Sequence, residues 1–406
     1  MTARTAAARP RRAPIPRAGR AWTVLVLGTA GQTAGTVFVT TPAFLIPLLH
    51  TERGVTLAQA GLLASTPTFG LVLTLIAWGA LADRIGEKWV ITSGLALTAL
   101  AAVGAMLASG YLGLGLCFLL GGMAAASSNA ASGRVVVGWF PRDWRGLAMG
   151  IRQVAQPLGT TVAALTVPHA ATGGMAAALV VPLVATGALA VASAIGLADP
   201  ARPAPATAAA ARSNPYRASS FLWRIHAVSG LLVVPQYTLA LFGLVWLVTD
   251  LHWTALAAGV LIGVAQFVGA AGRIGVGLLS DRVGSRVGPL RWVSVAACAA
   301  MLLLAAADEL RWDTAAAVLL VVATTISVAD NGLAFTSVAE VAGPSWAGRA
   351  LGAQNTGQFL AASLVGPVFG ALVAAVGYPV SFVVSALAPA LATPLIPRRR
   401  EEHDRL

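Results

Sequence analysis

Apolar residues fill this chain in long blocks, without the alternation of a strand or the one-sided stripe of a surface helix. Stretches of roughly 20 residues or more, each long enough to cross ~30 Å of hydrocarbon as a helix, recur with only short polar breaks. Twelve spans are predicted, at 22–49, 57–81, 89–108, 112–138, 147–168, 174–197, 222–248, 255–279, 290–307, 314–341, 350–375 and 379–396. The expected fold class is all-α integral membrane. The longest internal break, 199–220, is rich in Pro and Ala, carries Arg202, Arg212 and Arg217, and is too polar and too broken by proline to be a thirteenth helix. It divides the chain into an N-terminal six-span bundle, 22–198, and a C-terminal one, 221–396. A basic tail, 1–21, and a short tail, 397–406, flank them.

Composition agrees with the pattern: 57% of residues are hydrophobic and 10% charged, where soluble domains carry about 25% charged residues. A net charge of +12 would suit a nucleic-acid binder, but the basic residues crowd into alternate gaps between spans. The intervening gaps hold only Arg53 and Arg311. Positive charge gathers on the cytoplasmic side of a membrane, so both termini and the 199–220 connection are expected there, in a multi-pass protein of the cell membrane. The Arg-rich start, Arg4 to Arg20, lacks an obvious cleavage site, and Arg11-Arg12 is followed by Ala-Pro-Ile-Pro rather than a twin-arginine export context. It reads as a retained topology anchor. Cys117 and Cys298 lie far apart inside apolar segments, and His50, His169, His226, His252 and His403 are scattered. No metal site, disulfide framework, phosphate loop or catalytic constellation is expected, and no cofactor. The lipid bilayer is an expected partner, and nucleic acid is not.

The two halves repeat each other. Gly79-Ala-Leu-Ala-Asp83-Arg84-Ile-Gly86 after span two recurs as Gly277-Leu-Leu-Ser-Asp281-Arg282-Val-Gly284 after span eight, 198 residues on. Asn129, Trp144, Gly150 and Gln156 recur as Asn331, Trp346, Gly352 and Gln358, 202 residues on. Parallel repeats about an axis along the membrane normal, with a binding site between them at mid-membrane, are one of the internal-repeat designs of secondary transporters. The run Gly79 to Lys88 resembles the signature that the major facilitator superfamily carries after its second helix, and the copy at Gly277 resembles its weaker counterpart after the eighth. The resemblance runs from the first span to the twelfth. It implies two six-helix bundles that rock around a central site, with the motif as a cytoplasmic latch between them. Glu87 departs from the pattern, which commonly has a basic residue there.

In the motif, Gly79 and Gly86 permit close backbone approach and a tight turn, and Asp83 can meet a helix N-terminus or an arginine. The alternative is a hairpin held by local hydrogen bonds with no gating role. Gly150-x-x-Gln153-x-x-Gln156 and Gly352-x-x-Asn355-x-x-Gln358 set amides along one helical face. Together with Gln32 in span one they are candidates to bind substrate, or else to bond neighbouring helices. Ionisable groups inside spans are costly and default to functional hypotheses. Here they are mostly cationic: Arg134, Arg152 and Arg273 face only Asp330 and Glu340 as interior acids, with His226 as a further cation. That excess suits an anion, because a guanidinium grips a carboxylate with two parallel hydrogen bonds. Arg134 and Arg152 lie close enough to the helix ends to snorkel to the interface instead. Arg273, deeper in span eight, is similar in place to an arginine of the superfamily's monocarboxylate and oxalate/formate carriers, and the region from Arg134 to Gln153 resembles its anion-handling members. Asp330, with Arg273 as its expected neutralising partner, and His226 are the candidates for coupling to protons. The function expected is secondary active transport of a small organic anion, proton-coupled. Proton-driven drug or metabolite efflux, and a sensor or scaffold that keeps the fold without transport, are the alternatives.

Overall fold

The computed structural model describes residues 14–15, 17–46, 48–49, 57–200 and 214–404. Most of the basic tail, Arg53 and the stretch with Arg202 and Arg212 lie outside the described residues. The helices are α1 (Ala18–Phe44), α2 (Leu57–Ile85), α3 (Glu87–Leu107), α4 (Tyr111–Trp139), α5 (Arg142–Arg152), α6 (Ala155–Ala171) and α7 (Met175–Gly196). After the connection come α8 (Pro215–Ala218), α9 (Phe221–Thr249), α10 (Ala255–Val283), α11 (Val287–Glu309), α12 (Asp313–Ser327), α13 (Asp330–Ala342), α14 (Ala347–Leu395) and α15 (Arg399–His403). Counting α12 with α13, ten stretches among the described residues are long and apolar enough to cross a bilayer. Large apolar side chains cover the outside, with Leu112 82% and Phe267 79% exposed. Such a surface fits lipid rather than water.

Three predicted features acquire a physical cause. The span expected at 147–168 breaks between α5 and α6, because Pro157 has no N–H to offer the carbonyl of Gln153 one turn earlier. The long helix α14 contains Gly377 at φ 77°, ψ 176°, a conformation that favours glycine, and this interruption falls between the expected spans 350–375 and 379–396. Gly86 ends α2 at φ 102°, and a Cβ there would also lie 2.3 Å from Oδ2 of Asp199.

Packing differs between the two ends of the molecule. Near Asp83 and Asp281 one apolar cluster draws on both halves of the chain, joining Leu25, Phe140 and Met149 to Phe221, Phe335 and Leu351. At the opposite end the clusters are separate: Phe38, Phe118 and Leu179 in the first half, Trp246, Phe369 and Phe382 in the second. The molecule is closed at the first end and divided at the second.

Backbone contact makes the closure possible. A Cβ on Gly79 of α2 would lie 2.1 Å from the carbonyl oxygen of Gly348 on α14, and one on Gly277 of α10 would lie 2.2 Å from that of Gly146 on α5. Small residues permit such approach between membrane helices. Gly79→Val or Gly277→Val should therefore force the closed end apart at a cost of about 1–3 kcal/mol. Thermal unfolding in detergent checks this, and an undiminished midpoint would show that the close approach is dispensable.

Candidate functional site

At the closed end, each motif aspartate reaches across to the other half of the chain. Asp83 accepts the backbone N–H groups of Gly348 (2.9 Å) and Arg349 (3.1 Å) in the first turn of α14. Asp281 accepts those of Gly146 and Leu147 near the start of α5, both at 2.9 Å. At α14 the carboxylate meets free first-turn donors and the positive end of the helix dipole, whereas Gly146 and Leu147 are the fifth and sixth residues of α5. Arg84 and Arg282 of the same motifs are exposed.

Arginines complete both contacts. Arg134 pairs with Asp83, with Glu87 at 2.6 Å and with the carbonyl of Pro344 at 2.8 Å. Glu87, the departure from the expected basic residue, is thus an ion-pair partner. Arg286, in the turn before α11, donates to Asp281 at 2.6 Å, to Glu340 at 3.2 Å and to the carbonyl of Arg142 at 2.6 Å. Burial works against the charge on Arg286, but the Glu340 and Asp281 carboxylates outweigh it and hold its pKa above the usual arginine value. Arg145 adds a looser contact to Glu340, at 3.4 Å. A chamber of about 300 Å³ lies among Glu87, Arg134, Val137, Arg145 and Glu340.

Toward mid-molecule lies a narrow polar cavity of about 20 Å³, roughly the room one water needs. Gln32, Asn129, Gln153 and Gln156 line it from the first half, and Gln236, Asn331, Asn355 and Gln358 from the second. The amides bond in matching ways. Gln32 donates to Asn129 at 3.0 Å, while Asn331 donates to Gln236 at 3.0 Å and accepts from Gln358 at 2.7 Å. A wider space of about 340 Å³, sharing Asn129, Gln156, Tyr237 and Phe359 with the cavity, adjoins it; Thr36 and Thr40 of α1 also line that space.

Arg273 is the charged side chain among those lining the polar cavity. It donates through Nη1 to the Gln153 carbonyl, the group Pro157 leaves without a helical donor, and its buried Nε has no partner. Six of the eight expected substrate-binding residues therefore meet in one place: Arg273, Gln32, Gln153, Gln156, Asn355 and Gln358.

Three of the candidate residues, Arg134, Arg152 and His226, do not line the polar cavity. Arg134 is held at the closed end, because Asp83 and Glu87, one turn apart, capture it. Arg152 stands behind the cavity, donating to Ser132 at 2.9 Å, the Gln153 side chain at 2.6 Å and the Asn129 carbonyl at 2.7 Å, with its guanidinium over Phe335. It orients the amides without lining the space. His226 is also outside, held by the Tyr216 hydroxyl at 2.8 Å and by Gln354. Arg273 attracts Asp330, as a neutralising partner would, with no hydrogen bond between the two side chains. Asp330 opens α13, where the backbone N–H groups of Asp330 and Asn331 face its carboxylate.

Sequence reasoning missed Gln236 and Tyr237, and it noted Asn129 and Asn331 only as matches in the repeat. That match was itself the usable signal for the asparagines. Gln236 offers only a lone amide beside Pro235 in an apolar span.

Asp83→Asn removes the ion pair with Arg134 and turns one acceptor into a donor facing the N-terminus of α14. Loss of charge-assisted bonding of about 1.5–3 kcal/mol should open the closed end roughly 10- to 100-fold more often. Labelling of a Val137→Cys reporter in the 300 Å³ chamber reads this; an unchanged rate would leave the motif as a local hairpin only.

Residues 25–366 match the Major Facilitator Superfamily. An uncharacterized MFS-type transporter of Mycobacterium tuberculosis (H37Rv) is 46% identical over 384 residues, covering 94% of this chain and 86% of that one. A probable anion transporter of Oryza sativa, chloroplastic, is 35% identical over 127 residues, covering 30% of this chain and 24% of that one. Among solved structures, the E. coli fucose:proton symporter superposes with a TM-score of 0.72 at 16% identity, covering 93% of this chain and 98% of that one. A human organic anion transporter gives 0.71 at 16% identity, with 93% and 99% covered. Helices, apolar surface and these likenesses agree: the chain belongs to the major facilitator superfamily, whose members are multi-pass membrane transporters.

Proposed function

We propose that this chain is a secondary active transporter that carries a small organic anion, a carboxylate, across the cell membrane by alternating access with proton coupling. The observation that carries the reading is Arg273, buried among eight neutral amides with an unpartnered Nε. A cation in hydrocarbon costs roughly 2.5–3.5 kcal/mol on insertion scales, and a substrate carboxylate would offset that cost with two parallel hydrogen bonds. The amides would serve the remaining polar groups of the substrate. The partial likeness to the rice protein named a probable anion transporter supports the same class.

In this reading α5 and α6 form one crossing and α14 forms two about Gly377, which makes twelve with the others, arranged as six-helix bundles at 22–198 and 221–396. Both tails and the 199–220 connection face the cytoplasm, as the crowding of basic residues favours. The protein works as a monomer. The closed end is then cytoplasmic, and substrate enters through the 340 Å³ space. The polar cavity widens on binding and the bundles rock. Asp330, buried with no side-chain hydrogen-bond partner, accepts the coupled proton.

Counterflow of labelled carboxylates in proteoliposomes tests the substrate class. Arg273→Lys should weaken binding roughly 10- to 100-fold, since an ammonium cannot copy the planar fork. Neutral analogues should bind wild type poorly. Wild-type affinity in the double variant Arg273→Gln with Asp330→Asn would defeat the substrate role and leave Arg273 as a charge balance.

The coupling role separates from binding in a second measurement. Asp330→Asn should keep counterflow, which needs no net proton movement, and lose accumulation driven by an imposed pH gradient. Retention of gradient-driven uptake would exclude Asp330 as the coupling acid.

A further inference from the structure

The two turns that carry the motifs are each pinned from behind by a carboxylate that follows the last long helix of its half. In the first half, Asp199, just past α7, accepts the backbone N–H of Lys88 at 2.9 Å. In the second, Glu402 on α15 accepts the backbone N–H of Arg286 at 2.6 Å and the Ser285 hydroxyl at 2.6 Å. Lys88 and Arg286 stand 198 residues apart, the same offset as the motifs. The arrangement is therefore a repeated feature of the fold.

Glu402 is only 1% exposed although it lies within five residues of the chain end. A carboxylate withdrawn from water at such a position is stable only when its oxygens are satisfied, and here both are. The segment around it is held too: Arg399 donates to the Val283 carbonyl at 2.6 Å, and Arg224 pairs with Glu401 at 2.9 Å.

We propose that Glu402 is a positioning residue for the gate: the C-terminal segment straps the turn between α10 and α11 and fixes the backbone from which Arg286 reaches across to α5 and braces α13 of its own half. Arg286 makes its contacts to Asp281, Glu340 and the Arg142 carbonyl from a main chain that Glu402 holds. Without the strap the arginine must order its own turn before it can bridge the halves, so closure of this end weakens. Asp199 does the corresponding work at the turn beside Glu87, which positions the carboxylate that grips Arg134. The inference rests on the alternating-access reading, because it assigns the strap to one of two states.

The test uses full-length protein with Cys117→Ala and Cys298→Ala, carrying either Val137→Cys in the closed-end chamber or Thr40→Cys in the space toward the other end. A membrane-impermeant maleimide is applied to the purified carrier. Glu402→Ala should raise labelling at 137 relative to 40 by about 10-fold, the loss of a charge-assisted contact, and Glu402→Gln, which keeps an acceptor, should raise it less. Arg286→Gln is the positive control. If Arg286→Gln moves the ratio and Glu402→Ala lowers only the melting temperature, the tail is packing alone and the proposal is overturned. Should Glu402→Ala fail to insert, Ser285→Ala removes one donor of the same contact, and an unmoved ratio there overturns it equally. If Arg286→Gln also leaves the ratio unmoved, the two-state reading itself fails and this inference falls with it.

Discussion

Closure of this molecule depends on a carboxylate meeting the backbone donors at the start of a helix from the other half of the chain. Asp83 does this at α14 and Asp281 at α5, and in both places a pair of glycines lets the backbones touch. Neither part suffices alone. Without the glycines the aspartates could not reach, and without Asp83 the first turn of α14 would present unpaired N–H groups at a buried contact. Arg134 and Arg286 then neutralise what would otherwise be clustered negative charge. Those bonds are polar and face the interface, so they can be exchanged for water at modest net cost. The apolar cluster that joins Leu25, Phe140 and Met149 to Phe221, Phe335 and Leu351 at the same end, by contrast, loses its burial when the halves part.

Among the described residues the opposite end shows no such crossing: the clusters around Phe118 and around Trp246 each stay within one half, and the 340 Å³ space lies between the halves. Toward mid-molecule an apolar contact does join them, with Phe359 packing against the cluster of Leu71 and Leu75. The amide-lined cavity sits between the closed and divided ends, where both halves contribute.

Most of the architecture was legible in the sequence, because hydrophobic length along a chain reports directly on membrane crossings. The amide stripes were legible for a related reason: spacing by three fixes a common face. Depth along a helix, by contrast, says nothing about which face a residue occupies. That is why Arg134 and Arg152 could be read either as cavity residues or as interface anchors, and are instead tied to Asp83 and Glu87, and to Ser132 and Gln153. The break before α6 could be expected from Pro157, but its use could not, since it required Arg273 from the other half to arrive at the freed carbonyl. Glu402 was hidden because a short charged tail carries no periodicity to reveal a buried side chain.

The internal repeat separates mechanics from recognition. Positions shared between the halves are the aspartates, the contact glycines and the paired amides, and they build a closure and a cavity that are nearly symmetric and electrically neutral at the centre. The asymmetry enters where the copies disagree. Arg273 has Leu75 as its counterpart, and Pro157 has Phe359. These two departures meet at one atom, the Gln153 carbonyl that Pro157 frees and Arg273 binds. A symmetric ring of amides can accept many polar solutes in either orientation, whereas one fixed guanidinium on one side gives a ligand a single charged pole to face. The mismatched positions can therefore be altered while the shared ones, and the closure they support, stay as they are.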